Sequence, residues 1–260
     1  MQLTDITENS TLRDAIGQLL QQLRAQPDSA DLRAQLVQLL ALEGDWHGAL
    51  AQLKAWRALA ASAAPTVDLL AGSIAGELAR ERVFRLEAAP TLLTRQSGWT
   101  GDMVRTLHAP EERETLLAHL PANGGELVRR AAPHAPERFS WLADGDERLG
   151  PVCELIVDGV YCWAALHDIQ QIRFQPPASA FDLVWRQCHL RLHDGSDHLG
   201  QMPVRYPRHE EDSDAHRLAR QTSWRPLPQG YIGHGQRVWL DGEREWALLD
   251  IDTIRFGEPA

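Results

Sequence analysis

Four histidines, His189, His193, His198 and His209, crowd into one short stretch of the 260-residue chain. Gathered imidazoles are the natural place to look for a metal or a proton relay. His189 and His193 are an even number apart, so on a strand they share a face. Their spacing matches neither HExxH nor paired CxxC, so hydrogen-bonded or solvated rings are expected and a metal is not. Asp144-Gly145-Asp146-Glu147 resembles a fragment of a calcium loop that stops before its terminal ligand. A pairing of Asp146 or Glu147 with Arg148 accounts for it more simply. The acidic run Glu210-Glu211-Asp212-Ser213-Asp214 reads as a solvated loop, or as an exposed contact for a basic partner. Cys153, Cys162 and Cys188 are an odd number without CxxC spacing, each in an apolar, strand-like context, so buried reduced thiols are expected. There is no GxSxG elbow, and Gly233-His234-Gly235 lacks the further glycine and the helix opening of a nucleotide fingerprint. The expectation is no catalytic residue and no cofactor.

The elements that would hold such groups fall into two kinds. Leu12, Ile16, Leu19, Leu20 and Leu23 form the stripe of an amphipathic helix. A second stripe, Leu32, Leu36, Leu39 and Leu40, ends at Gly44, a natural helix stop. Asp45 can cap a third helix with Trp46, Ala49, Leu50, Leu53 and Trp56 inside, and Pro65-Thr66 opens a fourth over Val67, Leu70, Ile74 and Leu78. The segment EGDWHGAL (43–50) resembles the turn and second helix of a tetratricopeptide repeat, although Arg33 and Val37 stand where an aromatic and a small residue are expected. Helices are further expected over 99–108 and 110–120, and a linker over 131–136. After Phe139 the period drops to two. Asp158-Gly159, Asp194-Gly195 and Asp241-Gly242 each sit between strand-like runs, the strongest short-range hairpin signal. A short helix is expected at 217–220, behind the acidic stretch. Helices first and hairpins after give an α+β fold: a tetratricopeptide-like helical domain over 1–136 and an antiparallel β-rich domain over 137–260.

A net charge of −10 argues against binding to nucleic acid or to an anionic membrane. No apolar run approaches the roughly 20 residues of a bilayer span, so no membrane insertion is expected. Residues 1–10 show no signal-peptide pattern, which points to the cytoplasm. Nine tryptophans are many for this length; most are expected in the core, with one or two as interface anchors.

The order of segments is similar to that of the ImpE/SciE family, also called TagJ, accessory proteins of the type VI secretion system. The resemblance rests on EGDWHGAL (43–50), FSWLADGDERLGPVCELIVDGVYCW (139–163), DLVW (182–185), MPVRYP (202–207), RLARQTSW (217–224), GHGQRVW (233–239) and LLDIDTIRF (248–256). RLGP (148–151) and RYP (205–207) are its most specific parts, and residues 87–136 match least. Ala164-Ala165 departs from the family pattern, where a larger residue and proline are usual. The resemblance implies a cytoplasmic, non-catalytic adaptor with a repeat-like helical front and a β-containing rear. Its implied partners are an N-terminal helix of the small sheath subunit and the ClpV-type AAA+ ATPase that recycles the sheath. Peptide-binding repeat modules use a concave face, so Arg33, Gln35 and Gln38, on the outer side of the second helix, are the expected partner contacts. Two other readings compete: a hydrolase-like or metal-dependent enzyme using the histidine- and carboxylate-rich hairpins, and a generic repeat-type chaperone.

Overall fold

The computed structural model describes residues 11–93, 98–118, 123–228 and 230–257. The four leading helices begin and end where the capping residues place them. Helix α1 (Leu12–Ala25) opens on a capping box between Thr11 and Asp14 and buries Leu12, Ala15, Leu19 and Leu23. Helix α2 (Ala30–Glu43) is capped by Ser29 and stops at Gly44, whose φ of 79° is left-handed. Asp45 caps α3 (Trp46–Leu59) through the Gly48 amide, and Pro65 lies in the first turn of α4 (Ala64–Phe84). Packing follows chain order: α1 on α2, α2 on α3, α3 on α4. Helix α2 buries Val37, Ala41 and Leu42 in addition to its expected stripe, because α1, α3 and the 3₁₀ turn Ala180–Leu183 all pack on it.

Strand β1 (Thr91–Leu92), helix α5 (Trp99–Thr106) and helix α6 (Arg113–Leu117) follow. The last two are shorter than expected, the 3₁₀ turn Pro110–Glu112 preceding α6; residues 119–120 of the expected second helix lie outside the described residues. The expected linker at 131–136 is corrected. It belongs to a hairpin of β2 (Gly125–Arg129) and β3 (Ala132–Phe139). Pro133 and Pro136 suggested a break, but β3 is the outermost strand, and an edge tolerates residues with no N–H to donate. β structure therefore starts before residue 137.

Beyond β4 (Ala143–Asp144), the Asp-Gly pairs turn the chain as expected. Asp158 and Gly159, at φ of 49° and 79°, join β5 (Val152–Val157) to β6 (Val160–Ala165). After β7 (Ile169–Phe174), Asp194-Gly195 joins β8 (Trp185–Leu192) to β9 (Asp197–Pro203). Helix α7 (Asp214–Arg217) starts three residues before the expected 217–220, because Ser213 supplies the cap by accepting from the His216 amide. The hairpin of β10 (Thr222–Leu227) and β11 (Gly230–Gly235) stands apart from the main sheet. Asp241-Gly242 joins β12 (Val238–Leu240) to β13 (Glu245–Ala247), and β14 (Ile251–Phe256) is the last element among the described residues. Among the described residues the main sheet has nine strands in the order β1-β6-β5-β9-β8-β7-β14-β2-β3.

The two faces of β5 and β6 serve two cores. Val152, Ile156, Tyr161 and Trp163 face the helices, while Cys153, Leu155 and Ala164 join the core shared by the remaining strands. Helix α4 lies directly on this hairpin: a Cβ at Gly76 would come within 2.5 Å of Ile156 Cγ2. The helical front and the sheet thus share one hydrophobic core. Among the described residues no helix is long and apolar enough to cross a membrane.

Candidate functional site

The charged residues of the sequence motifs converge on one buried place. Arg80, on the face of α4 turned to the sheet, donates from Nε to both Glu154 carboxylate oxygens at 2.7 and 3.1 Å, from Nη1 to Glu77 at 3.3 Å and from Nη2 to the Arg205 carbonyl at 2.9 Å. Trp185 Nε1 donates to Glu77 at 3.0 Å. On the far side of Glu154, Arg237 donates from Nε and Nη2 to Asp144 Oδ2 at 2.9 and 2.6 Å, and Trp239 Nε1 donates to the same oxygen at 3.2 Å. Arg205 then donates to the carbonyls of Leu42 and Ala41, at 2.6 and 3.1 Å, at the C-terminal end of α2, where Ala41 also accepts from the Gly44 amide. Three carboxylates (Glu77, Glu154 and Asp144) thus balance three guanidiniums (Arg80, Arg237 and Arg205).

Burial acts on each of these groups and its neighbours answer it. Burial pushes Asp144 and Glu77 up, against the opposing charges of Arg237 and Arg80. Burial pulls Arg80 and Arg237 down, but the carboxylates beside them outweigh it and hold both above the ordinary range. Arg205, held mainly by carbonyls, is pushed down to about 10 by burial. Every group finds its partner within the chain. The ring is structural, and Arg205 of RYP, Trp185 and Arg237 owe their places to it. Asp146 confirms the simpler reading of the calcium-like fragment: it takes Arg148 at 2.9 and 2.6 Å and the Gly233 amide at 3.1 Å. Gly233 is itself a packing residue, since a Cβ there would lie 2.2 Å from the Tyr206 ring.

The histidines disperse. His189 sits on β8 against Asp197 at 2.9 Å, His198 lies on β9 opposite Leu190, and His193 follows β8. His209 instead stacks on His234, with ring centroids 4.2 Å apart, and His234 Nδ1 meets Asp212 at 2.8 Å. His216 Nε2 lies 3.0 Å from Ser223 Oγ, which has the look of a base beside a nucleophile. Its Nδ1, however, accepts from the Ser213 amide at 3.2 Å. In the neutral ring the proton is then on Nε2, which donates to Ser223 and cannot take its proton. The three cysteines are buried and free, and burial pushes Cys153 up to about 12 and raises Cys162 and Cys188.

The expected contacts on α2 do not form one surface. At 100° per residue, Arg33 lies roughly opposite Gln35 and Gln38 around the helix axis. Arg33 also bonds within the chain, from Nη1 to Gln52 Oε1 at 2.7 Å and from Nη2 to the Pro27 carbonyl at 2.8 Å. Gln35 and Gln38 are half-buried, with no side-chain bond among the described residues.

One opening no motif had announced is a groove of about 800 Å³. Trp224 and Tyr231 of the β10–β11 hairpin make one wall, Trp141, Leu240 and Glu245 the other, and Leu142 to Gly145 run along the floor with Glu147 beside them. Burial pushes Glu147 up, with the charge of Arg113 opposing it. The exposed aromatic residues of strand-like segments were the available signal. Their meeting depends on segments far apart in sequence.

Comparison with known proteins follows the same lines. The family model described as ImpE protein matches residues 136–255. The type VI secretion system accessory component TagJ of Pseudomonas aeruginosa is 36% identical over 251 residues, covering 94% of this chain and 87% of the relative. The crystal structure of protein VPA1032 from Vibrio parahaemolyticus matches with a TM-score of 0.81 at 25% identity, covering 95% of this chain and 94% of that one.

Proposed function

The chain belongs to the ImpE family, and we propose that it works as a non-catalytic cytoplasmic adaptor of a type VI secretion system. In this role the helical front holds a short amphipathic helix of the small sheath subunit and so assists sheath handling by the ClpV-type AAA+ ATPase. The observation that carries the reading is the order of packing in the front, where α1, α2, α3 and α4 each lie on the next. Helices stacked in sequence, as in tetratricopeptide superhelices, leave a side that accepts a peptide helix. Gln35 and Gln38, one turn apart on α2, supply amides to set its register. Arg33 contributes from the other side, tying α2 to α3 through Gln52.

The test is calorimetric titration of a peptide from the N-terminal segment of the small sheath subunit into the full-length protein and into a Gln35→Ala/Gln38→Ala variant. Binding near the micromolar range, weakened several-fold by the double substitution, is the expected result. No binding, or binding untouched by the substitutions, overturns the assignment.

A further inference from the structure

The groove between the β10–β11 and β12–β13 hairpins lies away from α2, and its chemistry sets it apart from the helical front. Trp141 is 42% exposed and Tyr231 53% exposed, a large aromatic area to leave in water. The indoles are held in place. A Cβ at Gly242 would come within 3.0 Å of the Trp141 ring, and one at Gly145 within 2.3 Å of the Trp224 ring. Glycine at these two positions makes the room in which the indoles lie, so they are oriented before anything binds. Asp144 in the floor is bound to Arg237, whereas Glu147 and Glu245 are in no salt bridge among the described residues. Among those residues, no lysine, arginine or histidine lines the groove. Aromatic faces are electronegative, as carboxylates are, so the groove presents one sign of potential beside the half-buried apolar side chains of Ala143 and Leu240.

We propose that this groove is a second docking site, for a segment of a protein partner that carries an arginine or lysine among apolar residues. The cation sits between the aromatic faces and the two carboxylates, and its neighbours cover the half-buried Ala143 and Leu240. Charge complementarity selects this occupant. An acidic segment meets Glu147 and Glu245 as like charges. A wholly apolar one strips water from both carboxylates and returns nothing to them. The assignment is independent of the helical front, so either can fail without the other.

The test uses the full-length protein and three labelled peptides with blocked ends: one alternating leucine with arginine, one with citrulline for each arginine, one with glutamate. Citrulline keeps the shape and the donors and removes the charge. The arginine peptide is expected to bind and to shift the indole N–H resonances of Trp141 and Trp224. Its affinity should fall about tenfold on the change to citrulline, and by a similar factor in Trp141→Ala and in Glu147→Gln/Glu245→Gln. Far-ultraviolet circular dichroism checks that each variant is folded. Equal binding of arginine and citrulline peptides overturns the proposal, as does affinity unmoved by the variants, or no binding up to about 1 mM. Self-association abolished by Trp141→Ala would overturn it in favour of a second copy of the chain.

Discussion

Replacing Asp144 by asparagine changes one atom of the buried ring and should cost about 3–5 kcal/mol of folding stability. Asp144 and Arg237 have fully buried side chains, joined at 2.6 Å. The amide keeps the carboxylate's shape, but Trp239 donates to Oδ2 and the Asp146 amide to Oδ1, so its one oxygen can serve only one of these two donors. What disappears is the charge facing Arg237, whose remaining carboxylate, Glu154, is 3.8 Å away and already bound to Arg80. A guanidinium left uncompensated in a dry site is the main cost. Arg237→Met should cost a similar amount by orphaning Asp144. The two together remove one charge of each sign and restore the balance of the ring. The double variant should therefore lie at least about 2 kcal/mol above the sum of the singles. Urea unfolding followed by tryptophan fluorescence, with coincident circular dichroism, supplies the three free energies. Single costs below about 1 kcal/mol, or additivity within about 0.5 kcal/mol, would refute the view that this pair is a coupled, desolvated unit.

Three other outcomes follow from single contacts. Gly76→Leu should destabilise by about 1–3 kcal/mol, since even a Cβ would reach within 2.5 Å of Ile156, and Ile156→Ala should recover part of the loss in the same unfolding assay. Arg205→Met leaves the Leu42 carbonyl without this donor, while Ala41 keeps the Gly44 amide, and should cost about 2–4 kcal/mol in thermal melts; Arg205→Lys should recover only part, because an ammonium lacks the guanidinium's fork. His209 is pushed down to about 4, first by burial and then by the stacked His234, from an ordinary value of 6.5. Between those values the unfolded chain binds a proton that the folded chain does not, so stability is full above pH 6.5 and declines as the pH falls toward 4. With the ring partly exposed, the decline should be about 1–2 kcal/mol; His209→Gln should flatten that slope, and an unchanged slope would contradict the assignment.

What the sequence made legible is what local chemistry decides. Gly44 and Asp45 mark a helix boundary through φ and a cap, and the Asp-Gly pairs mark turns through positive φ; neither needs a distant partner. Strand β3 was not legible, because β2, the strand it pairs with, is anchored by β14 at the other end of the chain. Prolines that read as a break are acceptable only once that edge position is known.

The ring of charges was hidden for the same reason, although two signals pointed to it. Glu154 stands in the middle of an apolar run on β5, and Ser73, Glu77 and Arg80 continue the buried stripe of α4 at three- and four-residue spacing. A charged residue on an inward-facing position requires a buried counter-charge, yet nothing local says where. Arg80 and Glu154 are 74 positions apart, Asp144 and Arg237 are 93. That requirement also bears on function. Glu77, Arg80, Glu154 and Arg205 are consumed in joining the helical front to the sheet, whereas Trp141, Trp224, Tyr231 and Glu245 line an open groove. An adaptor needs both: a charge-balanced joint that fixes two surfaces relative to each other, and surfaces whose apolar and charged groups are not already satisfied from within.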